Sequence, residues 1–155
     1  MRDAGIRVVH PRFGIILSPQ GGALANMLTP FKFCVGGRMG SGKQWWSWIG
    51  IDDVAGALHH MLLTDALTGP VNVVAPNPVT NAQFTKDLGA ALGRPTIFPM
   101  PAFAARVVLG EMADGLILAS ARVVPNKLEA AGYVFRHPTL PAALAHLLGT
   151  PARAA

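Results

Sequence analysis

The sequence is poor in cysteine, in tyrosine and in charge, and each shortage excludes something. Cys34 is the only cysteine, so no internal disulfide can form, which fits a reducing cytoplasmic compartment. Set between Phe33 and Val35, it reads as a small buried apolar residue. Charged residues make up 14% of the chain against 51% hydrophobic, a balance that folds readily but leaves an apolar face exposed. Long apolar runs are missing as well. Arg12, Lys32, Asp52, Asp65, Arg106 and Glu111 interrupt every candidate before the 18–20 residues that a spanning helix needs, so no membrane partner is expected. Arg2, Asp3, Arg7, His10 and Arg12 likewise deny the N-terminus the continuous apolar core of a secretory signal. The 13 basic residues outnumber the 8 acidic ones and leave a formal charge of +5. They stand singly from Arg2 to Arg153, without the patch or stripe that nucleic acid requires, and nucleic-acid binding is excluded.

What is present is an alternation of β-branched runs and helical patterns. Gly5 has the position of a left-handed helix terminator, although little precedes it, and the β-rich run at 6–17, broken near Pro11, follows at once. A strand that reads as central in a sheet, following a half-turn with nothing to cap, suggests a chain that begins inside a larger domain. A turn at Ser18-Pro19-Gln20-Gly21-Gly22 leads to a short helix at 23–28 that Pro30 should stop. Glycines at 36–42 lead into an aromatic strand at 45–51, and Asp52 then caps a helix running to about Leu63. A strand at 71–75 precedes Thr80-Asn81-Ala82-Gln83, which has the form of a capping box. The helix it opens buries Phe84, Leu88, Ala91 and Leu92 and stops at Gly93. Helices at 101–109, 111–120, 125–131 and 140–148 follow, with prolines near their starts and Gly110, Gly132 and Gly149 near their ends. Tyr133-Val134-Phe135 reads as an edge strand and Thr139 as the last cap.

Motifs that could carry chemistry mostly have plainer readings. Gly37 to Lys43 matches most of a phosphate loop, but Gln44 stands where a magnesium-binding hydroxyl belongs and the Trp-rich run does not open a helix, so an ordinary glycine turn is expected. His59 and His60 point about 100° apart on a helix and make no metal pair. His10, His137 and His146 have no carboxylate pattern beside them. Asp52 and Asp53 read as a cap and a first-turn carboxylate favoured by the helix dipole rather than as an acid/base pair. Trp46 and Trp48 share one side of their strand and Trp45 takes the other, so one side belongs to the core and the other can line a pocket.

Taken in order, Arg12-Phe13-Gly14-Ile15-Ile16-Leu17-Ser18-Pro19, the glycine loop at 37–44, Trp48-Ile49-Gly50-Ile51-Asp52-Asp53-Val54-Ala55, Gly69-Pro70-Val71-Asn72-Val73 and Pro78-Val79-Thr80 resemble the C-terminal half of the extended short-chain dehydrogenase/reductase class, specifically its NAD(P)-dependent sugar-nucleotide epimerase-like group. Residues 100–148 resemble that group's small helical C-terminal domain. The resemblance implies an α/β fold: the C-terminal part of a Rossmann-like parallel sheet with a substrate lobe at 1–98, a mostly helical domain at 99–150, and a frayed tail at 151–155. The class's glycine fingerprint and Tyr-x-x-x-Lys do not occur; Tyr133 has His137 four residues on. In that class both motifs precede the strand that begins this chain, so the dinucleotide-binding half is expected to be absent.

The resemblance further implies cofactor contacts at Arg12, Phe13 and Gly14 and substrate contacts at Gln20, Gly21, Gly22, Lys43, Trp46 and Trp48. No residue is assigned to catalysis or to a metal. NAD or NADP belongs to the complete protein and none is expected for this chain alone. The implied partner is a small-molecule substrate of sugar-nucleotide-like type, and self-association through an exposed sheet edge is expected. Many members hold the substrate diphosphate with an Arg where Trp46 stands, place a His where Gly50 stands and an Asn where Ile15 stands; Lys43 and Arg38 are the loop cations that remain for a diphosphate. The alternative function is a stand-alone binding or scaffolding module docking a partner through a strand edge and the Trp face.

Overall fold

A computed structural model of the chain describes residues 5–96 and 120–150. The expected helices at 101–109 and 111–120, the half-turn before Gly5 and the tail at 151–155 lie outside them. The elements run β1 Val9–Phe13, β2 Ile15–Leu17, α1 Gly22–Lys32, β3 Trp45–Trp46, β4 Trp48–Gly50, α2 Ile51–Leu63, β5 Gly69–Val73, β6 Val79–Thr80 and α3 Asn81–Leu92. Two further helices follow, α4 Asn126–Ala130 and α5 Leu140–Leu148. β1 pairs in parallel with β5 and β2 in parallel with β4, while β3 and β6 are antiparallel. The fold is therefore α/β with mixed pairing and C-terminal helices, consistent with part of a Rossmann-like sheet.

Alternation along β4 sorts the core into two layers. Trp48 and Leu17 face a cluster with Leu24, Met27 and Phe31 of α1, Phe84 and Leu88 of α3, and Leu140 and Leu144 of α5. Ile49 faces the opposite way and packs with Val54, Ala57 and Met61 of α2, Val71 and Val73 of β5, and Leu128 of α4. Helices thus cover both faces of the parallel strands, the arrangement that buries such strands on two sides.

The break between the first strands falls at Gly14, not near Pro11. Gly69 donates its N–H to the Val8 carbonyl at 2.9 Å, and Val9 stands opposite Gly69 and Phe13 opposite Val73. In a parallel ladder that register turns the backbone groups of His10 and Arg12 toward β5 and those of Val9, Pro11 and Phe13 away from it. The N–H that Pro11 lacks is not one that β5 needs, so the strand passes through it. At Gly14 the chain bends to exchange β5 for β4. Ile15 donates to the Ser47 carbonyl at 2.8 Å, and a Cβ on Gly14 would lie 2.3 Å from that oxygen.

Other expectations also fail for local reasons. Pro30 lies inside α1 rather than ending it. One turn from the helix end it forfeits a single bond, buries its ring, and offers its carbonyl to Val35 and Gly36 at 3.0 and 2.9 Å. Cys34 is only half-buried and takes a left-handed φ of 61°. α2 begins at Ile51 after Gly50, so Asp52 is a first-turn residue and not the cap. The Thr80 hydroxyl accepts from the Gln83 N–H at 3.3 Å, but the Gln83 amide donates to Asp87 at 2.7 Å instead of reaching back. Thr139 occupies the cap position of α5 without a side-chain bond. Residues 133–135 form no strand, because Tyr133 is drawn to α2. Gly93, Gly132 and Gly149 end their helices with φ of 63°, 82° and 63°, as expected.

Candidate functional site

A cavity of about 190 Å³ opens where β1 and β5 end. Arg12, Phe13 and Gly14 form one wall, Trp45, Trp46 and Ser47 another, and Val74, Ala121 and Val123 close it. Its position at the carboxyl ends of a parallel pair is where open α/β sheets bind ligands. The lining is aromatic and aliphatic with one cation, suited to a flat, largely apolar group. Ser47 fixes the far wall: its hydroxyl accepts the Val123 N–H at 2.8 Å and lies 2.7 Å from the Ala121 carbonyl, to which it donates. Trp45 accepts the Ala121 N–H at its carbonyl (3.2 Å), donates its own N–H to the Ser120 hydroxyl oxygen (3.1 Å), and carries the Arg122 guanidinium 4.8 Å above its ring.

Of the residues assigned cofactor or substrate contacts from sequence, the structure brings four to this cavity: Arg12, Phe13, Gly14 and Trp46. The others lie apart. Trp46 is 2% exposed and meets Phe84 edge-on at 5.0 Å, so it offers the cavity little more than a ring edge. Trp48 is fully buried and donates its indole N–H to the Asn77 carbonyl at 2.9 Å. Gln20, Gly21 and Gly22 form the exposed turn into α1, with Gly22 at φ 71°, next to first-turn amides that have no partner within the helix. Lys43 is exposed on the loop before β3; its N–H donates to the Ser41 hydroxyl at 3.3 Å. That loop leads to a strand, and the Gln44 amide is spent on the Met39 carbonyl at 3.0 Å, so it is an ordinary turn. Sequence reasoning missed Ser47, Arg122 and Val123; only Trp45, on the other face of the aromatic strand, carried a signal.

The second polar centre is Asp53, 1% exposed. Its carboxylate accepts the Tyr133 hydroxyl at 3.0 Å, the Arg136 N–H at 2.9 Å and the His137 N–H at 3.1 Å. Gly56 leaves room for the phenol, since a Cβ there would sit 2.5 Å from its oxygen. The arrangement ties residues 133–137 to α2 and has no open face for a substrate, which marks it as structural. Asp52 beside it pairs with His146 of α5 at 2.8 Å, and His146 stacks on His137 at 4.3 Å, so these histidines do have a carboxylate neighbour. Among the described residues no cluster of side chains is arranged to hold a metal, and no helix is long and apolar enough to cross a membrane.

Burial pushes the Tyr133 phenol above its ordinary range, and the hydrogen bond to Asp53 and that residue's charge add to the shift. Because the folded-state value is the higher one, the stabilisation is complete below the unfolded tyrosine value of about 10 and is lost as the pH rises toward the folded one. Alkaline melts should therefore show stability falling above about pH 10 in the native chain, with a shallower fall in Tyr133→Phe. Parallel curves would mean that the phenol titrates alike in both states.

A layered α/β unit whose cavity lies beyond the ends of parallel strands belongs to the Rossmann-like proteins. Residues 100–147 match the family model described as a domain of unknown function, DUF1731. An epimerase family protein of Mycobacterium bovis, Mb2239, is 43% identical over 150 residues, covering 97% of this chain and 50% of the relative. The Staphylococcus aureus epimerase family protein MW0731 is 41% identical over 144 residues, with 93% and 48% covered. Among solved structures, the human epimerase family protein SDR39U1 (isoform 2) with NADPH superposes with a TM-score of 0.84 at 40% identity, covering 92% of this chain and 48% of that one. A nucleoside-diphosphate sugar epimerase from Corynebacterium glutamicum gives 0.74 at 38% identity, covering 96% and 27%. Over 93–97% of its length the chain is thus similar to one half of these epimerase family proteins. It spans about half the length of the curated relatives it matches.

Proposed function

We propose that this chain is the C-terminal, substrate-side half of an NAD(P)-dependent epimerase/dehydratase-like oxidoreductase of the cytoplasm, inactive until a dinucleotide-binding half is joined to it. The carrying observation is the cavity at the ends of β1 and β5, lined by Arg12, Phe13, Gly14 and Trp46, in a chain 40% identical to a protein whose structure includes NADPH. At about 190 Å³ the cavity fits one flat ring and not a whole dinucleotide. The described residues thus suit the nicotinamide end of the cofactor and leave its pyrophosphate to the other half. Bound there, the nicotinamide would supply hydride exchange. Phe13 and Trp45 would hold the ring, Arg12 would face its polar edge, and Gly14 would let the backbone approach. Gln20, Gly21, Gly22 and Lys43 would contact the polar part of a small-molecule substrate.

The test joins this chain to the unmatched half of the mycobacterial relative. The chimera should bind NADPH in about the micromolar range usual for such sites, with energy transfer from tryptophan to the reduced nicotinamide, while this chain alone shows no saturable binding. Tight NADPH binding by the chain alone would overturn the division of labour. A folded chimera that fails to bind NADPH would favour the stand-alone module.

A further inference from the structure

A second recess of about 350 Å³ adjoins the aromatic cavity and shares Val123 with it as a dividing wall. Its polar lining consists of Asn72, Arg122, Asn126 and Lys127, with no acidic side chain among the lining residues. We propose that this recess is a phosphate-binding site.

The argument rests on how the cations are held. Arg122 sits 4.8 Å over the Trp45 ring, and Ser47 anchors the backbone on both sides of it through Ala121 and Val123. Among the described residues its guanidinium has no carboxylate and no hydrogen-bond acceptor. A stacked guanidinium keeps its five N–H donors in one plane, so little order is lost when it grips a phosphate with two of them. Lys127 spends one ammonium proton on the Thr68 carbonyl at 3.1 Å, which fixes the chain while leaving two protons. Asn72 reaches the Val124 carbonyl at 3.4 Å, and its second N–H remains for a ligand. Arg12 stands in register with Asn72 on the adjacent strand, so a third cation lies along the path from this recess to the aromatic cavity. Two cations and two amides, without a competing carboxylate, match a doubly charged oxyanion better than a neutral sugar or a metal. Since the dinucleotide's pyrophosphate is assigned to the other half, the phosphate held here is that of the substrate.

The experiment titrates inorganic pyrophosphate into the whole chain and follows side-chain amide signals by nuclear magnetic resonance. Saturable shifts are expected at Asn72 and Asn126, with a dissociation constant of about 1 mM or below that weakens as salt is raised. Arg122→Gln with Lys127→Gln should weaken binding at least about tenfold. Arg122→Lys, which keeps the charge and the fold, should weaken it less, and Lys86→Gln, on the exposed face of α3 away from both recesses, should leave it unchanged. UDP should displace pyrophosphate more strongly than NADP+ does; the reverse order would overturn the assignment of the recess to a substrate phosphate. The absence of saturable shifts, or shifts confined to the loop at 37–44, would overturn the proposal. Pyrophosphate binding needs only this chain, whereas the NADPH test needs the fused half, so either reading can fail without the other.

Discussion

Asp53→Ala should be the most damaging single change on the α2 side of the molecule. The carboxylate is 1% exposed and accepts from the Tyr133 hydroxyl and from the backbone N–H groups of Arg136 and His137. Its removal leaves the Arg136 and His137 N–H groups without an acceptor, and the Tyr133 hydroxyl with only the Asp53 carbonyl at 3.1 Å. Each buried unsatisfied donor costs roughly 1–3 kcal/mol, so the variant should lose about 3 kcal/mol or more. For a chain of this size that is a fall in melting temperature of roughly 6–12 °C. Asp53→Asn keeps the volume but turns an NH2 toward a donor, and should recover only part of the loss. Tyr133→Phe removes one donor together with its need for a partner and should cost about 1 kcal/mol. Thermal melts of the three variants decide the matter. If Asp53→Ala falls no further than Tyr133→Phe, the two backbone amides find water and the carboxylate is not what holds residues 133–137.

Gly14→Ala should be nearly as costly, for a steric reason. An added Cβ would meet the Ser47 carbonyl oxygen at 2.3 Å, its carbon at 2.9 Å and a Val74 methyl at 2.9 Å. Two of those atoms are backbone in the strand that Ile15 must pair with, so a rotamer change cannot relieve the contact. Overpacking of this kind costs roughly 1–3 kcal/mol, and the upper end is expected because the same contact spreads β2 from β4. The matched control is Gly21→Ser. Its site has no heavy atom within 4 Å of an added Cβ and an extended backbone, and serine is a good helix cap, so the change should be a few tenths of a kcal/mol. Equal losses at the two positions would mean that the bend at Gly14 can open freely. An insoluble Gly14→Ala with a soluble Gly21→Ser would agree with the collision.

The sequence was most legible where one local rule acted alone. Apolar spacing placed α2 and α3, left-handed glycines marked the ends of three helices, and alternation put Trp46 and Trp48 on one side, though not which side is the core. It misled where a distant partner prevailed. Tyr133-Val134-Phe135 has strand composition, yet the buried Asp53 carboxylate takes the phenol and the following amides, and no ladder forms. Pro30 looks like a helix stop, but it lies so near the end of α1 that burying the ring outweighs one lost bond. The ordered series from Arg12 to Thr80 pointed to the family, and Arg12, Phe13, Gly14 and Trp46 do meet at one cavity. The opposite wall was not legible, because Ser47 reaches residues more than seventy positions away and nothing local marks Ala121, Arg122 or Val123 as its partners.

Pro11 has a bearing on how the chain behaves in a crowded solution. Among the described residues β1 is paired only with β5, and its other side presents the backbone of Val9, Pro11 and Phe13. A bare strand edge is a template on which further chains can add and grow into aggregates. Here the middle one of the three outward positions has no proton to give, and a strand laid along the edge would find a gap at the centre of its ladder. The residue that reads in sequence as an interruption thus acts as a gatekeeper, sparing the pairing with β5 while making indiscriminate growth on the opposite side less favourable.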